Sequence, residues 1–276
     1  MANQHIPTVT LNNGITMPQI GFGVFQVPDD QATAAVTTAL EVGYRSIDTA
    51  AIYDNEQGVG RAIAESGLPR NELFITTKLW NADQGYDSTL EAFDQSLHKL
   101  GLEYLDLYLV HWPTPRRDLY LETWRAFEKL HSDGRVRAIG ISNFEPAHID
   151  RLVASGNIPP AVNQVELHPA LQNRATVAAN RRHEVVTEAW SPLAHGEILE
   201  DPLLADLAAK HDRSPAQVVL RWHLQQGRVI IPKSVTPSRI AENFDIFGFQ
   251  LSDVELAAID TLERDGRTGP HPTELN

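Results

Sequence analysis

The chain contains no cysteine among its 276 residues. That absence excludes disulfides, thiolate metal sites and cysteine nucleophiles together. No apolar run approaches the roughly 18 residues that a membrane-crossing helix needs. Positive charge is scarce: 23 Lys and Arg stand against 36 Asp and Glu, for a formal net charge of −13. Such a balance argues against a general nucleic-acid or anionic-membrane surface, while leaving room for a basic pocket around one phosphorylated ligand. The start, Met1-Ala2-Asn3-Gln4-His5-Ile6-Pro7, lacks the basic residues and apolar stretch of a signal peptide. A cytoplasmic monomer without nucleic-acid or membrane partners is the expectation.

Two familiar site patterns are missing as well. No His-x-His pair and no His-Glu-x-x-His helix occurs, which counts against a metal-dependent hydrolase and sets the expectation of no metal. The Gly-x-Gly-x-x-Gly dinucleotide fingerprint also fails. Gly21 and Gly23 are followed by Gln26 where the third glycine belongs, and Gly58 and Gly60 by Ile63.

What the chain does have is alternation. Apolar residues at Ala32, Ala35, Val36, Ala39 and Leu40 follow helical spacing. Leu90, Phe93, Leu97 and Leu100 form a second stripe, which the spacing of Ser88 and Glu91 predicts to open on a capping box and Gly101 to close. Tyr120, Trp124, Phe127 and Leu130 form a third, closed by Gly134. Between such stripes lie short β-branched runs: Phe74 to Thr77, Leu105 to Val110, Ala138 to Ile141, Ala161 to Val165, Val185 to Thr187 and Val229 to Ile231. With Ser46-Ile47 and a short piece near Ile20, about eight strands result. Strand then helix, eight times over, is the rhythm of an α/β fold, a single (β/α)8 TIM barrel, with a doubly wound sheet as the rival. Val9 to Thr16 reads as a hairpin around Asn13-Gly14, an N-terminal β-hairpin over the barrel bottom. No linker-like stretch divides residues 1–276, so one domain is expected.

Three of the apolar runs end on titratable residues. Ile47 is followed by Asp48, Thr77 by Lys78 and Val110 by His111. Adjacent parallel strands lie about 4.8 Å apart, so these three would meet at one carboxyl-terminal edge, with Tyr53 on the loop after Asp48. A lone Asp or Lys at a strand end is commonly a solvated cap, and a lone His a core residue. Three titratable types on consecutive strands are not so easily dismissed. A free phenol titrates too high for efficient proton transfer at neutral pH, and a nearby ammonium lowers it. Lys78 can supply that charge, Asp48 can keep the lysine charged, and His111 can bond a substrate oxygen or relay a proton. Such a cluster suits protonation of a carbonyl oxygen while an external hydride reaches its carbon.

Gly43-Tyr44-Arg45-Ser46-Ile47-Asp48-Thr49-Ala50, followed by Tyr53, Glu56 and Gly60, resembles the amino-terminal signature of the aldo-keto reductases. Lys78-Leu79-Trp80, His111-Trp112-Pro113 and Ile231-Pro232-Lys233-Ser234, with Arg239, Glu242 and Asn243, resemble further motifs of that family. The likeness runs from about Ile6 to Leu262, in order and spacing. The short loop after His111 and the short tail most resemble the bacterial 2,5-diketo-D-gluconate reductases.

The resemblance implies NADPH/NADP+ as cofactor and a small carbonyl substrate. It implies that Tyr53 is the acid, Lys78 and Asp48 its tuning pair, and His111 the substrate orienter. Ser142, Asn143 and Gln164 would hold the nicotinamide carboxamide, and Trp190 would stack on the ring. Ser191, Pro192, Leu193 and Gly196 would cross the pyrophosphate. Lys233, Ser234 and Arg239 would clamp the 2′-phosphate, with Glu242 and Asn243 near the adenine. Phe22, Trp80 and Trp112 follow strand ends and are expected to wall the substrate pocket. A cofactor-binding sensor on the same fold, or a crystallin-like structural role, is the alternative to an enzyme.

Overall fold

The computed structural model describes residues 6–276. Residues 1–5, the beginning of the stretch read for a signal peptide and of the one-domain range, lie outside the described residues. Among the described residues ten strands are present: β1 (Thr8–Thr10), β2 (Thr16–Pro18), β3 (Phe22–Gly23), β4 (Ser46–Asp48), β5 (Phe74–Leu79), β6 (Leu105–Val110), β7 (Val136–Ser142), β8 (Val162–Glu166), β9 (Val186–Trp190) and β10 (Val229–Ile230). The helices are α1 (Asp29–Val42), α2 (Glu56–Glu65), α3 (Tyr86–Leu100), α4 (Tyr120–Ser132), α5 (Pro146–Ser155), α6 (Arg174–Arg182), α7 (Pro202–His211), α8 (Pro215–Gln225), α9 (Pro237–Phe244) and α10 (Asp253–Asp260).

Strands β3 to β10 form one eight-stranded parallel sheet in chain order. Its two edges meet: Ile20 bridges Ile230 in parallel, and the Gly21 N–H donates to Ile230 O at 2.8 Å. Backbone approaches backbone closely there, since a Cβ on Gly23 would stand 3.0 Å from Ile231 O. The curled α/β sheet agrees with the barrel rhythm of the sequence.

Helix α1 buries Ala32, Ala35, Val36, Ala39 and Leu40, the stripe its spacing predicts. Asp29 and Asp30 in its first turn complement the positive end of the helix dipole. Helix α3 stops at Gly101, whose φ of 66° is the left-handed conformation that glycine adopts without strain. Its start differs from expectation. The helix begins at Tyr86 behind Gly85, so Ser88 lies inside the first turn and no capping box forms with Glu91. The Gly85 N–H is instead taken by Thr123 Oγ1 of α4 at 2.9 Å, a tertiary bond that a local pattern does not reveal.

The hairpin β1–β2 is antiparallel, and the turn between its strands contains Gly14 at φ 82°. Leu11 and Met17 are buried in a cluster with Phe74, Val162 and Val229, the first residues of β5, β8 and β10. The hairpin therefore packs against the amino-terminal end of the sheet, opposite Asp48 and Lys78. Burying side chains of this size contributes about 1.5–3 kcal/mol each. Asn12 and Asn13 donate to Pro160 O and Arg137 O, at 2.9 and 3.0 Å, and fix its position. Near that end, buried Asp106 accepts the Ile75 N–H and pairs with both Arg70 and Arg137. No described helix is long and apolar enough to cross a membrane.

Candidate active site

Register brings the titratable strand ends together. Asp48 pairs with Thr76 across β4 and β5, and Lys78 with Leu109 across β5 and β6, where His111 follows directly. Lys78 is fully buried. Its ammonium reaches Asp48 Oδ1 at 2.5 Å, Thr49 O at 2.9 Å and Tyr53 OH at 3.5 Å. Three acceptors for three N–H groups offset the desolvation that would otherwise forbid this charge. The Tyr53 ring meets His111 edge-on at 5.7 Å.

Burial opposes the charge of Lys78 most strongly, but Asp48, Tyr53 and Glu188 together outweigh it and hold the ammonium above the ordinary lysine value. Tyr53 corrects an expectation. Burial pushes its phenol up, and the Lys78 ammonium, which pulls down, does not win in the resting site. His111 is held well below the usual imidazole value, by burial first and by Lys78 second. It is a neutral ring near pH 7, suited to hydrogen bonding and not to carrying an extra proton.

Asn55, absent from the sequence reading, holds two loops in place. It is completely buried, donates to Val24 O and Val27 O at 2.9 and 2.8 Å, and accepts from Thr49 Oγ1 at 2.7 Å. The loop after β3 is thereby tied to the turn that presents Tyr53. One asparagine in a polar stretch carries no signal in sequence.

Ser142, Asn143 and Gln164 gather beside this cluster at the ends of β7 and β8. Asn143, at φ 64°, donates to His111 O at 3.0 Å and accepts the Trp190 indole N–H at 2.8 Å. Ser142 Oγ donates to Gln164 O. The Gln164 amide nitrogen donates to Asp48 Oδ2 and to Glu188 Oε2, at 2.8 Å each. Glu188 was missed in the sequence, although an acid inside an apolar run is the same signal that marks Lys78. Its carboxyl is pushed up to about 8, by burial and then by the charge of Asp48.

Further along the rim, Trp190 is half-buried and precedes a loop with left-handed backbone at Ser191, Ala194, His195 and Gly196. Pro192 O accepts from His223 Nε2 at 3.3 Å, while Leu193 is half-buried. A Cβ on Gly196 would meet nothing within 4 Å, so the loop is open there. Lys233 and Arg239 are exposed on either side of the start of α9, where Ser234 Oγ accepts the Thr236 N–H at 3.1 Å. Glu242 is half-buried and Asn243 buried in the same helix. Two cations beside helix N–H groups form a donor set that suits a phosphate. The residues present fit a phosphorylated dinucleotide.

The pocket walls need one correction. Trp80 stands 5.3 Å from His111, and Trp112 6.3 Å from it. Phe22 does not join them: it is 1% exposed and packs edge-on against Tyr44 in the core. In a strand, neighbours point to opposite faces, and Phe22 falls on the helix side. Phe25, 48% exposed and 5.0 Å from the Tyr53 ring, and Ile52, 46% exposed, stand at the mouth instead.

The tail also reaches the site. Glu166 at the end of β8 accepts from the Thr268 and Gly269 N–H groups and from Thr268 Oγ1, while His168 lies at 3.1 Å. Burial resists ionisation of this carboxyl, yet these hydrogen bonds bring it down to about 2. A side chain at Gly269 would collide with the Trp190 ring, so the tail lies directly against the indole.

This sheet, with a buried Asp–Lys pair and a tyrosine at its carboxyl-terminal edge, places the chain in a defined class. Residues 19–264 match the model of the aldo/keto reductase family, and the chain belongs to that family. It is 53% identical to glyoxal reductase of Bacillus subtilis, over 97% of each chain. It is 49% identical to the methylglyoxal reductase DkgA of Escherichia coli, over 100% of this chain and 99% of that one. Among solved structures, a Gox0644 variant in complex with NADPH superposes with a TM-score of 0.95 at 46% identity, over 99% of this chain and 100% of that one.

Proposed function

We propose that this protein uses NADPH to reduce aldehyde or ketone carbonyls to alcohols. The buried Lys78 ammonium, bonded to Asp48 and within reach of the Tyr53 hydroxyl, carries the reading. NADPH, when bound, supplies the hydride. Tyr53 gives its proton to the carbonyl oxygen as the alcohol forms. Lys78 stabilises the phenolate left behind, and Asp48 keeps Lys78 charged. Neutral His111 donates a hydrogen bond that orients the carbonyl. Ser142, Asn143 and Gln164 would hold the carboxamide, Trp190 would stack on the nicotinamide, and the Ser191–Gly196 loop would cover the pyrophosphate. Lys233, Ser234 and Arg239 would take the 2′-phosphate, with Glu242 and Asn243 at the adenine. Phe25, Ile52, Trp80 and Trp112 form an apolar mouth that suits small carbonyl compounds.

Small dicarbonyls and aldehydes are the proposed substrates, in keeping with the named activities of the relatives; keto sugars of the 2,5-diketo-D-gluconate type are the wider class. Every residue of the reading comes from one chain, so a monomer of one domain suffices, and a cytoplasmic one is the reading carried over from the sequence. NADPH consumption across a panel of glyoxal, methylglyoxal, keto sugars and simple aldehydes tests it. Turnover is expected, with the highest kcat/KM on a dicarbonyl. Tyr53→Phe should lower kcat about 10² to 10⁴-fold while NADPH affinity holds. Absence of turnover on the whole panel would favour a cofactor-binding sensor.

A further inference from the structure

Glu188 lies outside every motif that carries the family resemblance, yet it sits at the centre of the site. Gln164 and Glu188 are paired residues of neighbouring parallel strands. Their chain neighbours Asn163 and Thr187 both bond Asn180 of α6, on the helix side of the sheet. Side chains alternate along a strand, so Gln164 and Glu188 project together to the interior. Glu188 is 1% exposed and forms no ion pair among the described residues. Its hydrogen-bond partner is the Gln164 amide.

We propose that Glu188 is a positioning residue for the reaction, fixing through the Gln164 amide how Gln164 and Asp48 are presented at the catalytic centre. The proposal rests on the reading that Gln164 meets the nicotinamide carboxamide. An amide nitrogen has two hydrogens, and here each has its own carboxyl oxygen, one from Asp48 and one from Glu188. Rotating the amide by half a turn would set its oxygen against the Asp48 carboxylate, an acceptor with no hydrogen to give. The nitrogen is therefore locked inward and the Gln164 oxygen is left to accept from the carboxamide. The same amide holds Asp48 Oδ2 while Asp48 Oδ1 holds Lys78, so one line of bonds runs from Glu188 to Tyr53. Burial, and then the charge of Asp48, push the Glu188 carboxyl up toward its neutral form, whose carbonyl oxygen accepts the Gln164 N–H. A glutamine of the same shape can replace it; an alanine cannot.

The test is a double-substitution cycle on NADPH affinity, read by quenching of intrinsic protein fluorescence, with kcat measured alongside. Glu188→Gln should stay within about threefold of the parent in both quantities, whereas Glu188→Ala should weaken NADPH binding about tenfold. Gln164→Ala should weaken it at least as much. In the double variant, removing Glu188 should add nothing once Gln164 is gone, because its effect passes through that amide. Additive losses, unchanged affinity in Glu188→Ala beside a weakened Gln164→Ala, or a Glu188→Gln as poor as Glu188→Ala would overturn the proposal. Should Glu188→Ala fail to fold, Glu188→Leu fills the volume without an acceptor and carries the same expectation. Unchanged NADPH affinity in Gln164→Ala is a different failure, since it sinks the carboxamide reading itself and this proposal with it.

Discussion

At Tyr53 two influences compete for one proton: burial keeps it on the oxygen, and the Lys78 ammonium draws it away. Lys78→Met removes the second influence. The phenol then rises further, so the pKa governing reduction should move up while kcat falls, on the order of 100-fold. A pH–rate profile of that variant that differs from the parent only in scale would contradict the coupling. His111 makes an opposite claim about pH. Because burial and Lys78 keep it neutral, kcat should show no titration near 6.5, where a free imidazole would give one. Asp48, Lys78 and His111 could be read from sequence because each breaks an apolar run at its end. Glu188 carries the same signal inside its run, whereas Asn55 carries none, since its meaning lies in what it bonds between two loops. Phe22 misled because strand-end position does not say which face a ring occupies, and in so short a strand no alternation settles it.

Among the elements, the sheet strands and the helices α1, α3 and α4 followed from periodicity, whereas the start of α3 and the course of the tail did not. Both depend on partners far along the chain: Thr123 for Gly85, Glu166 for residues 268 and 269. Asp106 is the clearest case of an element held by charge. It neutralises Arg70 and Arg137 and accepts the Ile75 N–H from a fully buried position. Asp106→Ala should cost about 3 kcal/mol, seen as a lower midpoint in urea unfolding. The tail should respond to acid. The folded pKa of Glu166 is depressed to about 2, so its contribution is complete above the unfolded value of 4.5 and drains away as pH falls between the two. Amide exchange at Thr268 and Gly269, normalised for intrinsic rates, should therefore quicken over that window. In Glu166→Gln it should be fast at pH 7 already.

Over the whole molecule the net charge opposes an anionic ligand. The chain carries −13, yet Lys233 and Arg239 are exposed beside the amino-terminal end of α9. Arg239→Ala should weaken NADPH binding about tenfold or more and leave NADH binding nearly unchanged, because only NADPH carries the 2′-phosphate. Since these cations are exposed, added salt should shrink the parent's preference for NADPH. Equal losses for both cofactors on titration would show that Arg239 serves the helix and not the phosphate.

The seam between Ile20 and Ile230 also dictates an order of events in time. The first strand of the ring can find its last neighbour only when nearly all of the chain has left the ribosome. At about 5–20 residues per second, that leaves the opening strand with a bare edge for many seconds of synthesis. Pairings so distant in sequence are also the slowest to form in refolding. A nascent chain halted before Val229 would hold seven strands with both edges bare, a template for pairing with its neighbours. Such a chain is a natural client for chaperones until its final stretch, from Val229 on, arrives.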